Sequence, residues 1–143
     1  MNEKVFKLQM LIEGEEVKKL FLFFSHKLTQ AQQEEAKKVL GVEEFVALPQ
    51  NLQERFSAVP PELESLDTYI RDFVEFLVRY AQPGDYVLAQ GDFGLVYRIV
   101  ELAKAMGLVP IYATTRRVVL EEKRGEETIK ISRFEHVRFR RYL

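Results

Sequence analysis

The chain contains no cysteine and only two histidines, His26 and His136. Disulfides, thiolate catalysis and cysteine-ligated zinc are excluded, and two imidazoles are a thin basis for dedicated metal chemistry, so no metal or other cofactor is expected. No apolar run approaches the roughly 18–20 residues of a membrane span, and the opening stretch lacks the apolar segment and small-residue cleavage site of a secretory signal. A cytoplasmic protein with no membrane partner is expected. Charge of one sign does not predominate either: 21 basic residues face 22 acidic ones, for a net charge of −1. That balance argues against electrostatic binding of duplex nucleic acid. Linkers, repeats and low-complexity stretches are missing, and the only proline cluster is Val59-Pro60-Pro61-Glu62. With 143 residues, 47% of them hydrophobic, the chain fits a single folded domain over 1–143.

The even balance conceals a polarity along the chain. Residues 116–143 hold nine Lys or Arg against five Glu, a local +4, while the first 115 hold twelve basic against seventeen acidic, a local −5. One end can meet an anion, or can simply be a solvated basic tail.

The elements read as alternating strands and helices. Residues 18–24, KKLFLFF, form an apolar run suited to a strand buried on both faces. Thr29 can cap a helix over 30–40 that Gly41 stops. A short strand over 44–48 precedes a long loop over 49–64, and Ser65 can cap a helix from 66 to 81, ended by Pro83-Gly84. Residues 85–90 read as the third strand, followed by the turn Gly91-Asp92-Phe93-Gly94, a helix through Met106, and a fourth strand over 108–113. Such alternation predicts an α/β fold: a Rossmann-like three-layer sandwich with a mainly parallel sheet and right-handed crossovers. Residues 117–123 and 127–137, joined by Arg124-Gly125-Glu126, read as an added C-terminal β-hairpin. Within 1–17, Val5 to Ile12 suggests one extra N-terminal strand that could pair with residues 18–24.

In an open parallel sheet, ligands gather at the carboxyl ends of the strands. Ser25-His26-Lys27, Leu48-Pro49-Gln50, Gln90 to Gly94 and Thr114-Thr115-Arg116-Arg117 all arrive at that edge. In Gln90, Gly91, Asp92, Phe93 and Gly94, two glycines at a strand-to-helix turn let backbone approach a ligand, and free amides at a helix start suit an anion. Asp92 can equally be a simple helix cap. The G-x-x-G spacing is neither a dinucleotide fingerprint nor a Walker loop. Thr114, Thr115, Arg116 and Arg117 offer hydroxyls and guanidinium groups that can hold phosphate oxygens, or form an ordinary polar strand end. In a strand, His136, Arg138 and Arg140 would share one cationic face, which could also protect an edge from aggregation. No Ser/His/Asp order persuades, and no paired carboxylates suggest glycoside hydrolysis or a two-metal nuclease; Asp67, Asp72 and Glu75 read as solvated helix faces.

Four segments in order, Phe24 to Thr29, Gln90 to Gly94, Tyr112 to Arg117 and Phe134 to Arg140, resemble the small CRISPR-associated accessory proteins of the Csx type, specifically the Csx-twenty branch. The similarity spans about residues 18–142. It implies a fold related to the CARF sensor domains of type III CRISPR systems, and a homodimeric, metal-independent ring nuclease that linearises cyclic oligoadenylate, most commonly cyclic tetra-adenylate, and so switches off antiviral signalling. A two-fold dimer suits a ring of identical nucleotides. RNA supplies its own nucleophile: a ribose 2′-hydroxyl held in line with phosphorus yields a 2′,3′-cyclic phosphate without metal. Arg116 and Arg117 are then candidate phosphate clamps, Thr115 orients ribose or phosphate, and His26 or His136 is the acid or base. Ser25, Gln90 to Gly94, Thr114 and Arg138 are candidate ligand contacts. A non-catalytic sponge or sensor for the same messenger would use the same groups.

Overall fold

Apolar sequence runs become the centre of a five-stranded sheet ordered β2-β1-β3-β4-β5 in a computed structural model that describes residues 17–143. The suggested N-terminal strand lies outside the described residues. Strand β1 (Lys19–Phe23) pairs in parallel with β2 (Glu44–Ala47) on one side and β3 (Tyr86–Ala89) on the other. All four residues of β3 are buried, as a strand covered on both faces demands. Strand β4 (Val109–Arg124) lies parallel to β3, and β5 (Glu127–Arg141) closes the order as an antiparallel partner of β4. This is a mixed α/β fold with a mostly parallel sheet and a C-terminal antiparallel hairpin, as the alternation of elements predicts.

Helices occupy both faces. Helix α1 (Gln30–Lys38) starts at Thr29 through a capping box: Thr29 Oγ1 accepts the Gln32 N–H at 3.2 Å and Gln32 Oε1 accepts the Thr29 N–H at 2.9 Å. Its Ala36 packs with Leu20, Leu88, Ile111 and Phe139 on one face of the sheet. Helices α2 (Gln50–Ser57), α3 (Arg71–Tyr80) and α4 (Phe93–Ala105) belong to the other face. There Phe21, Phe23, Val87 and Ala89 meet Phe56, Phe73, Leu77 and Ile99 in the larger core. Buried Asp85 joins β1 to the start of β3 by accepting the N–H of Lys19 at 3.1 Å and of Gln82 at 2.9 Å. It compensates the cost of burying a carboxylate with directed hydrogen bonds.

Four sequence expectations need correction. The stretch expected as a loop over 49–64 contains α2, an eight-residue helix anchored by buried Leu52 and Phe56 at i, i+4 spacing. The helix expected from 66 begins at Arg71; Ser65 instead accepts the Asp67 N–H at 3.1 Å, and a turn with Ile70 N–H donating to Leu66 O leads into α3. The fourth strand does not stop at Ala113. It runs unbroken into the first arm of the hairpin, so Thr114 to Arg117 lie within a 16-residue strand instead of at its end. A two-residue turn joins Arg124 to Glu127, with Gly125 at φ +67° and Glu126 not at positive φ, the pattern of signs of a type II′ turn.

The fourth correction concerns the supposed cationic face. Opposite Thr114 and Thr115 stand Arg138 and His136, so Val137 is an extra residue and β5 bulges there. The bulge shifts the alternation: His136 turns to the same side as Phe139, with ring centroids 4.9 Å apart, while Arg138 and Arg140 oppose Thr114 and Tyr112. By register His136 therefore falls out of step with the two arginines, and it meets Arg138 only at the strand edge, where both line one depression beside α1.

Candidate functional site

Strand order places a reversal between β1 and β3, because the chain leaves β1 for β2 and then crosses back to β3. At such a point the segments following the two strands diverge and leave a crevice at the carboxyl edge. Ser25 and His26 follow β1, and Gln90 to Asp92 follow β3. Gln90 is fixed from both sides, its N–H donating to Phe23 O at 3.0 Å and its Oε1 accepting the Ala113 N–H at 2.8 Å. Its side-chain amide thus bridges to β4, and Nε2 makes no hydrogen bond to the described residues.

The next residues begin α4. Asp92 is its N-cap, with Oδ1 accepting the Leu95 N–H at 3.0 Å, so the helix-cap reading of this carboxylate is correct. Gly91 and Gly94 both have unexceptional φ, and their small size answers to packing. A Cβ on Gly91 would meet the Phe56 ring at 3.0 Å, and one on Gly94 would meet Leu66 at 3.4 Å. Phe93, by contrast, is 95% exposed at the helix start.

Beside this turn opens a cavity of about 540 Å³, floored by Gln90 and Gly91 and walled by Phe93, Val96, Tyr97 and Val100 of α4. Tyr112 of β4 and Tyr142 complete it, their rings 4.8 Å apart. Tyr142 donates its hydroxyl to Ala89 O at 2.5 Å, and burial, with a smaller contribution from Tyr112, raises its pKa above the ordinary tyrosine value. Tyr112 accepts a hydrogen bond from Arg140 Nη1 at 3.1 Å, with the guanidinium over its ring. Aromatic rings with one amide and one arginine nearby form a surface on which a flat, hydrogen-bonding ring such as a nucleobase can stack.

The sequence candidates separate into four places. Gln90, Gly91 and Phe93 line the aromatic cavity, with Asp92 and Gly94 in the same turn. His26 stacks edge-on against Phe24 at 5.4 Å and lines a different depression of about 440 Å³ with Lys27, Gln33 and Phe45; Ser25 Oγ accepts from Ser57 Oγ at 3.0 Å. His136 and Arg138 line a third, between α1 and β5, with Glu34, Glu35 and Lys38. Thr114 Oγ1 donates to Arg138 O at 2.8 Å and accepts the Arg138 N–H at 3.2 Å, tying off the bulge. Thr115 stands opposite His136. Arg116 and Arg117 lie farther along the hairpin, and Arg117 donates to Ser132 Oγ through Nε at 3.2 Å and Nη2 at 2.9 Å. The two imidazoles thus sit in separate depressions, and neither lines the aromatic cavity.

Sequence reasoning missed Tyr97, which sits one helical turn beyond Phe93, and the pairing of Tyr112 with Tyr142. It also missed Glu35. Among the described residues, no three His, Asp or Glu side chains converge on a common point suited to a metal ion. Nor is any helix among them long and apolar enough to cross a membrane.

These features define a Rossmann-like α/β domain with an aromatic cavity at the carboxyl edge of its sheet. The chain belongs to the family described as the uncharacterized protein MJ1673 family, which it matches over residues 18–140. It is 47% identical over 124 residues to uncharacterized protein MJ1673 of Methanocaldococcus jannaschii, covering 87% of this chain and 96% of that protein. No solved structure matches the chain.

Proposed function

We propose that the protein is a ring nuclease that acts in the cytoplasm as a homodimer on cyclic oligoadenylate, with cyclic tetra-adenylate as the preferred ring, and thereby switches off type III CRISPR signalling. The observation that carries this reading is the cavity of Phe93, Tyr97, Tyr112 and Tyr142 beside the N-terminus of α4. An adenine stacked there would present its edge to Gln90 Nε2, and the phosphodiester would lie near the α4 amides. Arg140 beside Tyr112, and Arg116 and Arg117 farther along the hairpin, are the cations available to a ring larger than one nucleotide. The reaction needs no added water: the 2′-oxygen bonds to phosphorus, the bond from phosphorus to the 5′-oxygen breaks, and the 2′ proton ends on that departing oxygen. Holding those atoms in line is the main contribution asked of the protein.

A non-catalytic sponge or sensor is favoured by one specific observation. His136 is engaged with Glu35 and His26 lies against Phe24, so no imidazole stands in the aromatic cavity to transfer a proton. Cleavage then relies on alignment and on arginine alone. The test is Arg117→Ala together with Tyr97→Ala, each checked for an unchanged melting temperature. The nuclease reading expects Arg117→Ala to lose cleavage rate at least about tenfold while retaining ring binding, the signature of an interaction made mainly in the transition state. It expects Tyr97→Ala to lose binding. Binding without product in the wild-type protein favours the sponge, and no binding at all overturns both.

A further inference from the structure

We propose that two copies of the chain join edge to edge along β5, in an antiparallel ladder whose two-fold axis passes through Phe134. This deepens the homodimer of the reading above and does not depend on its nucleotide chemistry. Among the described residues β4 pairs with one side of β5 and no strand pairs with the other. Beyond the main sheet the hairpin is only two strands wide, an arrangement marginal in water without further support. It also carries apolar side chains left open by the described residues: Phe134 is 68% exposed, and Val137 and Ile131 are exposed as well.

The order of residues around Phe134 is self-complementary. On one side stand Arg133, Ser132 and Ile131; on the other stand Glu135, His136 and Val137. A two-fold axis at Phe134 sets Arg133 opposite Glu135 of the partner subunit, Ile131 opposite Val137 of the partner subunit, and Phe134 opposite its own copy. Arg133 and Glu135 already lie together within the strand, Nη2 to Oε1 at 2.7 Å, so both charges are on one face and can be shared across the axis. Moving the axis by one residue brings Arg133 or Glu135 against itself, a like-charge pair that disfavours the shift. The Ile131–Val137 pair already reaches the bulge, and the next pair outward, Lys130 with Arg138, is like-charged, so the ladder ends there. Charges on an edge strand ordinarily prevent pairing. Here their order permits one register and penalises its neighbours, which is how specificity is built.

The chain has no cysteine, so Phe134→Cys gives a clean probe. Directly opposed residues of an antiparallel pair bring Cβ atoms within about 4.5–5.5 Å, close enough for a bridge with slight adjustment. The expected results are a dimer by light scattering for the wild-type protein, a covalent dimer of Phe134→Cys on mild oxidation, and none for Glu127→Cys at the hairpin tip. Arg133→Glu and Glu135→Arg should each weaken the dimer at least about tenfold, and the double exchange should restore it. A monomeric wild-type protein, or a dimer indifferent to both reversals that leaves Phe134→Cys unlinked, overturns the proposal. Ring cleavage by a monomer would overturn this interface alone, whereas a dimer of this register without ring binding would overturn only the nucleotide reading.

Discussion

Glu35 Oε1 lies 2.5 Å from His136 Nε2, and the two oxygens of the same carboxylate receive the Phe139 N–H at 3.1 and 2.9 Å. Helix α1 is thereby fastened to β5 at the bulge, where Phe139 would otherwise lack that acceptor. Both side chains are largely shielded from solvent, His136 to 5% exposure. Replacing Glu35 by Ala is expected to cost about 2–4 kcal/mol, because it leaves a buried N–H and an imidazole without a partner. Glu35→Gln, which keeps an acceptor, should recover part of that. Urea unfolding at neutral pH measures both, and an unchanged midpoint for Glu35→Ala would show that the clamp contributes nothing.

The turn that floors the cavity rests on Phe56. Because a Cβ on Gly91 would lie 3.0 Å from that ring, Gly91→Ala should destabilise by about 1–3 kcal/mol. Adding Phe56→Leu removes the ring and should make the Gly91 substitution cheaper than it is alone. A double-mutant cycle by thermal unfolding reads this coupling, and strict additivity would contradict it.

Tyr142 links pH to stability at the opposite end of the cavity. Its pKa is raised on folding, so its contribution is fully present below the ordinary tyrosine value of 10.0 and is lost as pH rises through the folded value. Tyr142→Phe removes the hydrogen bond to Ala89 O and should cost about 1 kcal/mol at neutral pH. It should also flatten the alkaline loss of stability. Equal slopes above pH 10 for the two proteins would show that this hydroxyl does not titrate with unfolding.

On the surface, Arg98 Nη1 donates to Asp67 Oδ1 at 2.8 Å, and this bond first, then hydrogen bonding of the Asp67 carboxyl with the Ser65 side chain, lowers the Asp67 pKa. Asp67 therefore contributes stability above the usual carboxylate pKa and loses it as pH falls through the lowered one. Titration followed by NMR should show the Asp67 carboxyl moving up toward its ordinary value in Arg98→Ala. No movement would mean the pair is not populated in solution.

Legibility in the sequence followed the range of the interactions responsible. Strands β1 and β3 were readable because a buried parallel strand is a local apolar run, and α4 because Asp92 and Gly107 mark its ends. Helix α2 was not, since only Leu52 and Phe56 are buried within it and eight residues are too few to display a helical period. The continuity of β4 was hidden because Thr114 to Arg117 turn polar where the strand leaves the core, which resembles an ending. The bulge at Val137 was beyond reach: the carboxylate that holds Phe139 comes from a residue 104 positions away. For the same reason the Gln90 to Gly94 turn was found, whereas Tyr97, Tyr112 and Tyr142 become a single wall only once strand order brings them together.

The most direct test of the central claim is to incubate the purified protein with excess cyclic tetra-adenylate in a chelator and to resolve the products by chromatography over time. The account predicts linear di- or tetra-adenylate ending in 2′,3′-cyclic phosphate, accumulating beyond one ring per dimer. A ring that stays intact would contradict it, whether it elutes with the protein, as a sponge would hold it, or apart from it.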